Sequence, residues 1–303
     1  MNNKNKQNIT EEEFSLKGVI DMHIHGGPDI FPRFADDEEI AIAARSAGME
    51  AILIKNHALS TARSAYFVNK HISGIKVFGG IVLNWSVGGI NPKAVRATLE
   101  IGGKEVWMPT FDAQNHADYY GAIGTYGVGS GLIVKGGGDS REKGISILKN
   151  DRLIDEVKEI VKLVKEYNAI IGTSHLSKKE ISILIKYIKE IGGVNVLITH
   201  PHEKVVDMDA EILKGLIGDG VYVEISATNF LSDKGPTKIE EHARMIKNIK
   251  AENCIIVSDS GIKRVAISPE RLKEFSKLLL LEGVSKDELY LMLSKNPRKI
   301  LNL

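Results

Sequence analysis

Short apolar runs alternate with amphipathic helical runs along this chain, and that alternation restricts the fold more than any other feature. GVIDMHI (18–24), AILIKNH (51–57), IKVFGGIVLN (75–84), EVWMPTFDA (105–113), AIIGTSH (169–175), VNVLITH (194–200), VYVEIS (221–226) and CIIVSDSG (254–261) have the length and apolar content of buried strands. The segments between them carry helix punctuation. Asn91-Pro92 opens a helix that stops at Gly102-Gly103, and Ser177-Lys-Lys-Glu180 and Ser285-Lys-Asp-Glu288 are capping boxes. IDEVKEIVKLVKEY has a clear 3.6-residue period. Eight strands each followed by a helix predict a single-domain α/β fold, a (β/α)8 TIM barrel over residues 18–303. An open doubly wound sheet is the runner-up, but its phosphate turn is missing: GGPD after the first strand does not match G-x-G-x-x-G. The rhythm breaks at 118–150, which is rich in glycine. We read a long loop insertion after the fourth strand, placed to overlie the barrel mouth as a lid, with a small hairpin turning at Asn150-Asp151. Residues 1–17 are polar and read as a flexible arm.

Composition narrows the class. The chain has 303 residues, 43% hydrophobic and 26% charged, enough for a large core. Its 40 basic and 39 acidic residues argue against a nucleic-acid or anionic-membrane partner. No apolar run is long enough to cross a membrane, and the N-terminus lacks the apolar stretch of a secretory signal. The one cysteine, Cys254, excludes an intramolecular disulfide. These features point to a soluble cytoplasmic protein with a small-molecule substrate; association of identical chains is open for this fold class.

The histidines show where the chemistry lies. Seven of nine fall at or just past a strand's C-terminal end: His23, His25, His57, His116, His175, His200 and His202. In a barrel these ends converge on one face, the face that holds active sites. His23 and His25 stand two apart, so a strand presents both imidazoles on one side, a half-site for a transition metal. Asp259 ends the eighth strand, which adjoins the first on closure.

Asp21-x-His23-x-His25 on the first strand, histidines ending the fifth and sixth, and an aspartate ending the eighth resemble the metal-dependent amidohydrolase superfamily. The tail NPRKILNL resembles the superfamily's N-P-A-x-x-L-G-L. HIHGGPD, the KNH of the second strand and TSHLSKKE look like a poorly characterised amidohydrolase-related family. The resemblance implies metal ligation by His23, His25, His175, His200 and Asp259. It also implies hydrolysis of an amide, lactone, ester or phosphoester, with Asp259 as general base and then acid. The sequence departs from it at the fourth strand, where VWMPTFDAQNH offers neither the lysine nor the glutamate that bridges two metals in binuclear members. One divalent ion is therefore favoured over two, zinc first, with manganese, iron or nickel as alternatives. Lys55 is a substitute bridge or a binder of a substrate anion, and Lys135 is a weaker bridging candidate. Lys55, His57 and His116 are the substrate-binding candidates, with His202 and Glu224 behind them. Asp21 reads as a buried structural hydrogen bonder. A metal-dependent lyase or decarboxylase, and a non-catalytic metal- or ligand-binding barrel, are the competing functions.

Overall fold

The computed structural model describes residues 14–126, 143–227, 238–263 and 267–303. Ten strands occur among them: β1 (Ile20–His25), β2 (Ala51–Lys55), β3 (Lys76–Val82), β4 (Glu105–Trp107), β5 (Leu148–Lys149), β6 (Arg152–Leu153), β7 (Ile170–Gly172), β8 (Asn195–Ile198), β9 (Val221–Ser226) and β10 (Cys254–Val257). Eight of them pair in parallel in the order β1-β2-β3-β4-β7-β8-β9-β10, and β1 meets β10 through an Ile24–Ser260 bridge, giving a nearly closed barrel. The helices are α1 (Asp37–Ser46), α2 (Ala62–His71), α3 (Pro92–Glu100), α4 (Gln114–Tyr120), α5 (Asp155–Glu166), α6 (Lys178–Ile191), α7 (Ala210–Leu216), α8 (Ile239–Ile249), α9 (Ser268–Leu281), α10 (Lys286–Tyr290) and α11 (Asn296–Leu301).

The helix starts follow from the residues that open them. Asn91 accepts the N–H groups of Lys93 and Ala94, and Ser177 and Ser285 form reciprocal capping boxes with Glu180 and Glu288. Each strand has two apolar faces. Ile24, Ile52, Ile54, Val106, Ile171 and Val196 pack outward against the helices, whereas Met22, Leu53, Trp107, Leu197 and Ile255 fill the interior. This double burial is why the strands read as continuous apolar runs.

A bulge in β1 breaks that alternation and positions the site. Asp21 pairs with Ile52 and Ile24 with Ile54, so β1 spends three residues where β2 spends two. Met22 and His23 are therefore consecutive residues that both serve the interior. Asp21 points outward, where its carboxylate accepts the Ser258 N–H (3.0 Å), the Ser268 hydroxyl (2.5 Å) and the His23 N–H (3.2 Å). It ties β1 to β10 and to α9 across the closing seam, the structural role its sequence position suggests.

Two expectations change, one is met and one lies outside the described residues. β4 stops at Trp107, and residues 114–120 of the expected strand-end and loop region form α4. The hairpin is present as β5–β6, with Asn150 and Asp151 at φ 50° and 60°, as a two-residue turn of the I′ type requires. The rest of the expected lid, 127–142 with Lys135, lies outside the described residues. Leu16, expected in the flexible arm, is 1% exposed and packs in the outer core; residues 1–13 lie outside the described residues.

Candidate metal centre

Three ligand-type atoms meet at the β1–β10 seam. His23 Nε2, His25 Nε2 and Asp259 Oδ1 are each 3.2 Å from the other two. A tetrahedral ion with bonds of roughly 2.0–2.1 Å has donors about 3.3–3.4 Å apart, so this triangle is the size of one face of such a polyhedron. Backbone geometry presents them. The Asp259 N–H donates to the His23 carbonyl (2.9 Å), and Gly261, at φ 134°, lies where a Cβ would come within 2.2 Å of the His25 carbonyl oxygen. Asp259 is left-handed at φ 47°, as are Ser174 (49°) and His200 (27°). Three strand ends at this mouth thus hold non-glycine residues in a costly conformation, a pattern common at functional sites.

The protonation of His23 is set by its partners. Both Glu224 carboxylate oxygens lie 3.2 Å from its Nδ1, and Oε1 also accepts the His200 N–H. The Lys55 ammonium, 3.1 Å from Nε2, can only donate, so Nε2 carries the lone pair and the ring proton sits on Nδ1 toward Glu224, the tautomer that ligation through Nε2 needs. Burial lowers the His23 pKa to about 4, against the opposing pull of Asp259, so the ring is neutral near pH 7. Glu224 itself is raised to about 8, by burial first and by Asp259 second. His25 is held differently: its Nδ1 is 3.2 Å from Arg33 Nη2, which also binds Asp29 at 2.5 Å. A guanidinium can only donate. With Nδ1 accepting, the His25 proton sits on Nε2, so ligation through Nε2 requires Arg33 to turn away.

A second group lies beside the first. His175, His200 and Glu203 each offer an atom within 4.8 Å of the others, and His200 Nδ1 is 3.5 Å from Glu203 Oε2. The His175 and His200 rings are 5.3 Å apart, and His23 stacks on His200 at 6.0 Å. His116 Nε2 donates to the Thr125 carbonyl (2.6 Å), so its Nδ1 accepts from His175 Nδ1 (2.7 Å). His175 is thereby left with a bare Nε2. Lys55 bridges the two groups electrostatically. Its Nζ is 3.1 Å from His23 Nε2 and 5.3 Å from the centre of the Trp107 ring, and burial lowers its pKa against the pull of Asp259, Glu224, Glu105 and Glu203.

The family model of DUF6282, a family of unknown function, matches residues 18–224. The chain belongs to DUF6282. No curated protein matches it in sequence. Solved structures share its fold. They include an amidohydrolase from Pseudomonas aeruginosa (13% identity, TM-score 0.63, covering 94% of this chain and 96% of that one). An amidohydrolase from Burkholderia multivorans with bound zinc is similar (9%, TM-score 0.59, 94% and 99%). So is a 2,6-dihydroxybenzoate decarboxylase from Rhizobium (10%, TM-score 0.53, 94% and 99%). Two of these neighbours are amidohydrolases, and the DUF6282 chain shares the TIM-barrel fold.

In this DUF6282 chain the five expected ligands are all at the mouth, divided into two adjacent groups. His57 stacks on His25 at 4.7 Å; its Nδ1 meets the Thr110 hydroxyl (3.1 Å), which already accepts from Asn84. With the Thr110 proton given to Nδ1, His57 Nε2 is an N–H, and no hydrogen bond to it occurs among the described residues. His116, expected to hold substrate, has both ring nitrogens engaged and orients His175. His202 packs on His242 at 4.7 Å, away from both groups' ring contacts. Asp112 and Gln114 serve local structure, receiving the Trp85 N–H and pairing with Asp118.

Sequence reasoning missed Glu203, Arg33, Tyr126 and Glu105. Tyr126 packs on His116 (5.1 Å), Phe31 (5.9 Å) and His175 (6.1 Å), and burial beside Glu203 and Asp259 holds its hydroxyl proton. Glu105 begins β4, immediately before VWMPTFDAQNH. It lies in the barrel interior with neither oxygen hydrogen-bonded, and Gly172 makes its room: a Cβ there would meet Glu105 Oε1 at 2.7 Å and Trp107 Cδ1 at 2.3 Å. Burial, then Glu224, raise its pKa well above the usual carboxylate range, against the pull of Lys55. The two-residue spacing from Trp107 was the available signal.

Proposed function

We propose that this protein is a metal-dependent hydrolase of a small-molecule amide, lactone, ester or phosphoester, with one divalent ion, zinc first, held by His23, His25 and Asp259. The observation that carries the reading is the 3.2 Å triangle of two imidazole nitrogens and a carboxylate oxygen. When bound, such an ion supplies a Lewis acid and lowers the pKa of a coordinated water to roughly 7. Glu224 keeps His23 in the ligating tautomer, and His116 does the same for His175. Asp259 takes the proton of the attacking water on its second carboxylate oxygen and returns it to the leaving group. His57 Nε2–H polarises the reacting oxygen of the substrate. Phe31, Phe111 and Tyr126 present ring edges around His57 and His175, an apolar wall that excludes water and suits a flat substrate. Lys55 Nζ lies 3.1 Å from the ligand atom His23 Nε2, so it must withdraw or give up its proton for that nitrogen to bind the ion.

A decarboxylase is the second reading, favoured by the similarity to a decarboxylase fold and by the same ligand set. Turnover in oxygen-18 water by metal-loaded protein separates them. Hydrolysis puts the label into product, and Asp259→Asn lowers kcat roughly 100- to 10,000-fold. Carbon dioxide release without label would replace hydrolysis by decarboxylation. Binding with no turnover of any ester, lactone, amide or aromatic acid would leave a non-catalytic barrel.

A further inference from the structure

The barrel holds a second buried cation that the metal centre does not use. Arg271 stands in the first turn of α9, on the helix face buried with Ser268, Leu272 and Phe275. It is 1% exposed, and among the described residues Nε, Nη1 and Nη2 have no hydrogen-bond partner. An unpaired buried guanidinium is destabilising, so a retained one calls for an anion. Asp259 and Glu274 favour its charge from nearby, but neither is bonded to it. The helix itself adds to the field. α9 is 14 residues long, its N-cap is Ile267, and no side chain caps its first turn. Pro269 has no N–H to offer and Glu270 puts a carboxylate in the first turn, so the helix end adds only its dipole and the remaining N–H groups, and Arg271 carries the positive charge.

The neighbours place this feature beside the candidate centre. Ser268, three residues before Arg271, bonds Asp21 two residues before the first ligand. Phe275, four residues after it, packs on His242 (5.2 Å), and His242 packs on His202 (4.7 Å), which follows His200 by two residues.

We propose that Arg271 and the N-terminus of α9 form an oxyanion subsite next to the two ligand groups, which receives a carboxylate or phosphate of the substrate. The substrate is thus an acidic small molecule, bound by its anionic group on the β10–α9 side. The inference rests on the metal-dependent reading for its place in turnover, but anion binding is measurable without turnover.

The experiment uses the full chain, with metal content recorded by elemental analysis. Sodium sulfate and sodium benzoate serve as phosphate-like and carboxylate probes, against sodium chloride at equal ionic strength. At least one probe raises the melting temperature of the wild type; Arg271→Met binds it at least tenfold more weakly with unchanged metal content, and Arg271→Lys lies between. In chloride, Arg271→Met melts no lower than wild type, because an unpaired charge has been removed. The favoured probe identifies the anion class. Equal responses in wild type and Arg271→Met, no response in either, or a marked loss of stability of Arg271→Met in chloride would overturn the subsite. Anion binding by a protein that takes up no metal would instead remove the enzymatic reading and leave the subsite standing.

Discussion

Each imidazole of the first ligand group is governed by the atom on its far side. Glu224 accepts from His23 Nδ1 and so frees Nε2; Arg33 donates toward His25 Nδ1 and so blocks it. Opposite effects on metal affinity follow. Glu224→Gln weakens zinc binding roughly 10- to 100-fold, read by competition with a chromophoric chelator. Arg33→Met, which removes the opposing donor and a nearby positive charge, tightens it severalfold in the same assay. The placement of the candidate ligands His23 and His25 was legible, because a two-residue spacing on a strand end puts two imidazoles side by side. Their supporting partners were only half legible. Glu224 and His116 stood out as polar groups near strand ends, but which nitrogen they address depends on barrel closure. Glu203 and Tyr126 reach the site through turns, and turns carry no periodic signal.

Strands set where these residues point, and two strands carry testable consequences. Asp21 gathers three donors at the β1–β10 seam. Asp21→Ala leaves buried donors unpaired and destabilises the protein by about 2–4 kcal/mol in urea melts. In β4, Glu105 is a buried carboxyl whose folded-state pKa is raised well above 4.5, by burial and then by Glu224. The folded protein therefore keeps a proton that the unfolded chain releases above about pH 4.5. Its contribution to stability is greatest below that pH and declines as pH rises toward the folded value. Glu105→Gln removes this slope, so wild type loses more stability than the variant between pH 5 and pH 8, as denaturant midpoints at the two pH values would show. Helix starts were plain in the sequence because capping is local. The β1 bulge was not: strict alternation puts Asp21, His23 and His25 on one face, whereas the extra residue turns Asp21 outward. Nor was α4, whose seven residues give too short a pattern to show a period.

At the scale of the molecule, the count of strand–helix units was enough for the barrel, since parallel strands buried on both faces read as apolar runs and their helices as amphipathic ones. Convergence of six of the seven strand-end histidines on one mouth followed from that topology; His202 packs on His242 instead. The division of the ligands into two groups did not follow, because it depends on the stagger of neighbouring strand ends. Metal content per chain, by elemental analysis of protein purified without chelator and reconstituted with zinc, tests the central claim most directly. The account predicts about one equivalent in wild type, lost in His23→Ala/His25→Ala with the fold retained by circular dichroism. A wild type that takes up no zinc, manganese or iron, or a double variant that keeps its metal, would contradict it.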